Sequence, residues 1–239
     1  MPIGGIGLSR DGGLADYVVT PASRLLPLGG LDPVQAAPLT DAGLTPYHAI
    51  ALHRDVLRPG THAVVIGIGG LGHMAVQILS VTTAATIIAV DTSDAALRLA
   101  KRMGAHHTVQ AGPAAVEQIR EITGTAPDGA DVVLDFVCVD TTLDTARQVV
   151  ATGGHLTLVG LGGGTLHMTA TAAGPPPVPF ETSAVVPFWG TRAELAEVIA
   201  LGTQGLLRAE VQTFPLTETV RAYQSLRDGE IHGRAVIVP

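Results

Sequence analysis

Between Ala63 and Val90 the chain carries no Asp, Glu, Lys or Arg across 28 residues. Such a stretch is long enough to span a membrane. Its interior argues otherwise: Gly67, Gly69, Gly70 and Gly72 fall together in the middle, and His73 and Gln77 follow. Its end, Thr86-Ile87-Ile88-Ala89-Val90, is β-branched and strand-like. A buried strand, a glycine turn, a helix and a second buried strand satisfy all of these features, and no membrane segment is expected.

The same alternation continues along the chain. Strands are expected at His62–Ile66, Thr86–Val90, His107–Val109, Asp131–Leu134, His155–Val159 and Ser183–Val186, with helices at Leu71–Ser80, Asp94–Met103, Ala114–Ile122 and Thr142–Val150. Most of these strands are continuously apolar, as expected where helices cover both faces of a sheet. Repeated strand–helix–strand order predicts an α/β fold with a doubly wound parallel sheet. Gly174–Pro179 reads as an irregular loop, and Thr191-Arg192-Ala193-Glu194 as a capping box opening a helix to about Leu201. A helix near Thr217–Leu226 and a strand at Ala235–Val238 close the chain. The first forty residues differ in character. They offer two short strands, Asp16–Thr20 and Leu25–Leu28, a helical turn at Pro33–Pro38, and then a helix from Asp41 to His53. Two short strands make no independent domain, so this segment must lean on the sheet or on other material.

Composition narrows the function classes. Hydrophobic residues make up 46% of the 239 and charged residues 15%, which excludes global disorder. The formal charge of −7, with no basic cluster against it, excludes binding of nucleic acid by phosphate neutralisation. A single cysteine, Cys138, rules out an internal disulfide and any zinc site drawing two cysteines from these residues; it reads as a small buried thiol. Met1–Arg10 lacks a charged n-region and a long apolar core, so no signal peptide is read and the cytoplasm is expected.

Chemistry enters at Gly67-Ile68-Gly69-Gly70-Leu71-Gly72, a G-x-G-x-x-G directly after Ala63-Val64-Val65-Ile66. Gly67 permits a tight turn, Gly69 a close backbone approach to a pyrophosphate, and Gly72 the packing of helix on strand. The helix that follows points free N–H groups and its positive dipole end at the phosphates. Asp91 ends the next strand, 19 residues past Gly72, the spacing at which a carboxylate accepts from the adenosine ribose hydroxyls. It also selects the dinucleotide. A 2′-phosphate about 4 Å away would meet a like-charge repulsion of about 4 kcal/mol at an effective dielectric of about 20. No Arg or Lys follows directly, so NAD is expected over NADP. Thr92 and Ser93 supply the cap of the next helix, which leaves Asp91 free.

Several segments resemble the zinc-dependent alcohol dehydrogenases of the medium-chain dehydrogenase/reductase superfamily. They are Gly12-Gly13-Leu14-Ala15-Asp16-Tyr17-Val18, Ala37-Pro38-Leu39-Thr40-Asp41-Ala42-Gly43-Leu44-Thr45, Gly67–His73 and Gly233-Arg234. Pro187-Phe188-Trp189-Gly190-Thr191-Arg192 is similar to the bacterial NAD-dependent secondary-alcohol branch. The resemblance implies a remnant of a GroES-like catalytic domain over residues 1–50, a Rossmann domain over 51–190, and last helices with a returning strand over 191–239. It implies cofactor contacts from Thr45, Gly67, Gly69, Gly70, Leu71, Gly72, Asp91, Phe136, Val137, Val159, Gly160, Leu161, Trp189 and Arg234. Arg234 would reach the pyrophosphate, and Thr45 would stand beside the nicotinamide. It further implies a catalytic zinc. Family members carry a cysteine ligand and a Gly-His-Glu ligand motif in a longer region ahead of the part this chain resembles, and neither motif is present here. Only the family's third ligand position survives, as Asp41, and the zinc site is incomplete; Asp41 reads equally as a helix N-cap. None of His48, His53, His106 and His107 matches a family ligand or relay position.

The implied activity is hydride transfer between NAD and an alcohol or carbonyl substrate, with a secondary alcohol favoured, Asp41 and Thr45 on the catalytic side, and a homodimer or homotetramer as the assembly. Two other readings stay open: a zinc-free quinone or enoyl reductase of the same superfamily, and a catalytically silent NAD-binding protein.

Overall fold

A computed structural model describes residues 5–124, 129–171 and 174–239. Met1 to Gly4, at the start of the segment read above for a signal peptide, lie outside them.

The uncharged stretch folds as β1 (His62–Ile66), α3 (Gly72–Thr82) and β2 (Thr86–Asp91). Among the described residues two α-helical segments precede it, α1 (Pro33–Ala36) and α2 (Leu44–Ala51). Beyond it follow α4 (Asp94–Arg102), β3 (His107–Gln110), α5 (Ala115–Thr123), β4 (Ala130–Asp135), α6 (Asp140–Val149), β5 (Val150–Leu158) and β6 (Ser183–Val185). These six strands form one sheet in the order β3-β2-β1-β4-β5-β6, every neighbouring pair parallel. The doubly wound α/β architecture is therefore present. Both faces are covered: Ala63 and Val65 of β1 join a core with α2 and α3, while Val64 and Ile66 join one with α5 and α6. That is why β1 reads as a continuous apolar run instead of an alternating one. No helix among the described residues is long and apolar enough to cross a membrane.

The remainder comprises α7 (Arg192–Thr203), β7 (Val211–Pro215), α8 (Thr219–Arg227) and β8 (Arg234–Val238), with β7 and β8 paired in a separate two-stranded parallel sheet. The capping box opening α7 is formed: Thr191 Oγ1 accepts from the Glu194 N–H at 3.1 Å, and Glu194 Oε2 accepts from the Thr191 N–H at 2.7 Å. Ser93 is the N-cap of α4, as expected.

Some expectations need correction. Neither Asp16–Thr20 nor Leu25–Leu28 is a strand; both runs are extended or bent chain without ladder partners among the described residues. The helix expected from Asp41 to His53 is shorter, Leu44–Ala51, because residues 37–40 form a 3-10 turn that runs on through Thr40 and Asp41–Gly43 complete the bend. β5 begins five residues before the expected His155, the Gly153-Gly154 pair lying inside it beside a register shift against β4.

Candidate dinucleotide site

In a parallel sheet, ligands bind outside the carboxyl ends of the strands where the winding reverses. Here that point lies between β1 and β4, and the residues that follow β1, β4 and β5 meet there. Gly67 has φ +85°, and a Cβ on it would overlap Val137 Cγ2; a Cβ on Gly160 would overlap the Val137 backbone. The post-β4 segment thus lies against both the glycine turn and the post-β5 segment. The Phe136 N–H donates to the Ile66 carbonyl at 2.9 Å and the Val159 N–H to the Asp135 carbonyl at 2.8 Å, extending the ladder to the rim.

The turn has the form a diphosphate requires. A Cβ on Gly72 would run into the Gly67 carbonyl oxygen, so only glycine lets α3 start this close to β1. Gly69 faces open space. The N-cap of α3, Leu71, offers no side-chain cap, and among the described residues no acceptor meets the N–H groups of Gly69, Gly70 or Leu71. Unpaired amides at a helix N-terminus form an anion site. The residues present therefore fit a dinucleotide's phosphates.

Asp91 ends β2 beside the turn. Its Oδ2 accepts from the Ile68 N–H at 2.6 Å and its Oδ1 from the Ser93 N–H at 2.8 Å, which aims the carboxylate along the rim. Opposite, Arg234 at the start of β8 leans over the turn: a Cβ on Gly70 would lie 2.9 Å from its Cδ and 3.1 Å from its Nη1. Its Nη2 donates to Asp41 Oδ2 at 2.7 Å.

That ion pair decides the reading of Asp41. Its carboxylate engages Arg234 and, through Oδ1, the Thr45 hydroxyl at 3.4 Å. It caps no backbone amide, since the N-cap position of α2 is Gly43, so the N-cap alternative is corrected. Among the described residues no three His, Cys, Asp or Glu side chains stand close enough to hold a metal ion. A catalytic zinc needs three protein ligands, and the residues present do not fit one.

Of the other expected site residues, Thr45 is buried. Leu161 is 98% exposed. Trp189 adopts φ +49° and stands edge-on to Phe188 at 5.2 Å. Its neighbour Gly190 lies against Leu44 of α2, the helix that carries Thr45.

Two buried polar residues at this rim escaped the sequence reading. Asp135 ends β4 fully buried; its Oδ1 accepts from the N–H groups of Val137 at 2.8 Å and Cys138 at 2.9 Å. Its position, closing an apolar run as Asp91 closes β2, was the available signal. His73, in the first turn of α3, is also fully buried, and a polar side chain directly after Gly72 was the only hint. Cys138 is buried as expected, and burial together with Asp135 pushes its thiol up to about 12.

Residues 70–204 match the family model described as zinc-binding dehydrogenase. A NAD-dependent alcohol dehydrogenase of Sulfurisphaera tokodaii is 37% identical over 238 residues, covering 98% of this chain. The chain spans 66% of the length of that relative. The crystal structure of an alcohol dehydrogenase from Aeropyrum pernix superposes with a TM-score of 0.87 at 36% identity, over 98% of this chain and 67% of that one. An acetophenone reductase from Geotrichum candidum, solved in complex with NAD, superposes with a TM-score of 0.71 at 28% identity, over 88% and 57% of the two chains.

Proposed function

Because the chain belongs to the zinc-binding dehydrogenase family of the medium-chain dehydrogenase/reductases, we propose that it binds NAD and serves hydride transfer between that cofactor and an alcohol or carbonyl substrate, a secondary alcohol by preference. The observation that carries the proposal is the uncapped glycine turn facing Arg234, with Asp91 beside it at the switch point of the sheet. In this reading the amides of Gly69, Gly70 and Leu71 and the Arg234 guanidinium bind the diphosphate. Asp91 takes the ribose hydroxyls, and its charge rejects a 2′-phosphate. Phe136, Val137, Val159, Gly160 and Leu161 border the nicotinamide, with Thr45 and Trp189 on the side of α2. Bound NAD supplies the hydride acceptor, and the protein supplies its position.

We assign residues 1–50 to a GroES-like catalytic portion, 51–190 to the Rossmann domain and 191–239 to the returning segment, a division supported by the separate β7–β8 sheet. Homodimer or homotetramer formation in the cytoplasm completes the proposal. The exposed β6 residues at the edge of the six-stranded sheet favour pairing there.

A second reading, a dinucleotide binder without dehydrogenase activity, is favoured by one observation: the Asp41 carboxylate is already paired with Arg234. Titrating the purified 239-residue chain with NADH and NADPH tests the dinucleotide site, and measuring its zinc content and alcohol oxidation tests the argument about the metal. NADH binding in clear preference to NADPH, without stoichiometric zinc or zinc-dependent turnover, is expected of these residues alone. Robust zinc-dependent turnover would overturn the argument about the metal, and absence of NADH binding would overturn the proposal as a whole.

A further inference from the structure

His73 is fully buried, and both ring nitrogens are engaged. Nδ1 lies 2.8 Å from the Gly69 carbonyl oxygen, and Nε2 lies 3.2 Å from the backbone nitrogen of Glu210. A carbonyl only accepts and a backbone N–H only donates, so the partners dictate the tautomer: the proton sits on Nδ1 and the lone pair on Nε2. Burial lowers the pKa of the ring, in keeping with a neutral imidazole.

The two partners belong to different parts of the site. Gly69 is the middle glycine of the phosphate turn. Glu210 precedes β7, and its carbonyl accepts the N–H of Arg234 at 2.8 Å. Gly233, at φ +86°, passes so near that a Cβ on it would overlap the Glu210 carbonyl oxygen. One helical turn beyond His73, Gln77 holds the same segment: its Nε2 donates to the Arg208 carbonyl and its Oε1 accepts the Arg208 N–H, both at 3.0 Å. A continuous series of bonds therefore runs from the glycine turn through His73 to Glu210 and Arg234, and the Arg234 guanidinium returns over Gly70.

We propose that His73 is a positioning residue for the dinucleotide. It fixes the distance between the two halves of the phosphate site, the amide turn and the arginine that covers it. The inference rests on the NAD reading above and adds to it a residue whose side chain is sealed from the ligand.

Two variants divide the roles of the ring. In His73→Asn the amide nitrogen matches Nδ1 and keeps the bond to Gly69, while the acceptor for Glu210 is lost. In His73→Gln the amide oxygen matches Nε2 and keeps Glu210. NADH titrations of the wild type, H73N, H73Q, R234A and H73N/R234A form the test. H73N is expected to weaken binding about 10-fold, the scale of leaving one buried backbone N–H without its acceptor. H73Q should restore most of that loss, and H73N should add nothing on top of R234A. Hydrogen exchange without nucleotide provides a second readout, with the Glu210 and Arg234 amides faster in H73N and retained in H73Q. A wild type that binds NADH while H73N stays within about twofold of it, or losses that simply add, overturns the inference alone. A wild type that fails to bind NADH overturns the dinucleotide reading with it. Should neither His73 variant fold, wild-type exchange decides: NADH must slow the Glu210 and Arg234 amides together with those of the turn, and protection confined to the turn overturns the proposal.

Discussion

The stretches 63–90 and 5–31 both contain runs of apolar and β-branched residues, yet they end in opposite environments. Ala63 to Ile66 are all buried, with β2 and β4 as ladder partners on either side. Tyr17 and Val19 are 92% and 96% exposed, and their segment has no ladder. An apolar run becomes a strand only where neighbours accept its backbone hydrogen bonds and helices cover its side chains. β1 has β2 and β4 within 75 residues on the same winding path, whereas Asp16–Thr20 has no such partner among the described residues.

The sharpest test strikes the better-packed region at its tightest point. In Gly72→Ala the new methyl meets the Gly67 carbonyl oxygen, which is backbone and has no room to yield. Overpacking of this kind costs about 3 kcal/mol, or about 6–12 °C in Tm for a chain of this size, and NADH binding should fall below detection. Calorimetry and fluorescence titration measure the two effects. A variant with unchanged Tm and NADH affinity would mean that α3 does not start against β1 as described.

A somewhat smaller effect is expected where the front region joins the sheet. His53 follows α2, is buried, and its Nε2 lies 2.7 Å from the Thr157 hydroxyl of β5. Burial, assisted by the charge of neighbouring His155, lowers its pKa to about 4 from the usual 6.5. The unfolded chain takes up a proton near pH 6.5 and the folded chain does not until near pH 4. Stability is therefore complete above pH 6.5 and declines as the pH falls toward 4, by about 2–3 kcal/mol at pH 4.5 from this group. Urea unfolding of the wild type and of His53→Gln at pH 7 and pH 4.5 isolates the contribution. Equal acid sensitivity in both proteins would place the titration elsewhere.

Asp91→Asn keeps the shape of the rim and removes its charge. Loss of charge-assisted bonds to the ribose should weaken NADH by about 10-fold, while NADPH, relieved of like-charge repulsion, weakens less or gains. The diagnostic quantity is the ratio of the two affinities. If both cofactors shift equally, Asp91 acts only through its bonds to the Ile68 and Ser93 amides and does not select between them.

These tests also mark what was legible before the fold was known. The glycine turn, Asp91 and five of the six sheet strands to within about two residues could be read because each depends on local spacing and continuous apolarity. His73 could not: a buried polar side chain acquires meaning from its partners, and Glu210 lies 137 residues from His73. β7 was missed for a related reason. Gln212 and Thr213 are exposed, Pro215 ends the run, and only pairing with β8 makes Val211–Pro215 a strand. The ion pair of Asp41 could not be read either, because its partner Arg234 lies 193 residues away.

The smallest effect is expected in the exposed segment, and it is informative for being small. Tyr17→Ser and Val19→Ser remove side chains that are almost wholly in solvent, so the transfer free energy that makes core truncations costly is absent. Each should change stability by less than about 0.5 kcal/mol, within about 2 °C in Tm, and leave the NADH affinity untouched. A loss of several degrees in either would require these side chains to be covered in solution, by a second copy or by a strand that completes the ladder. If the loss grew with protein concentration, the cover would be another copy of the chain. The contrast between the two stretches would then reflect which partners are present and not how the residues are patterned.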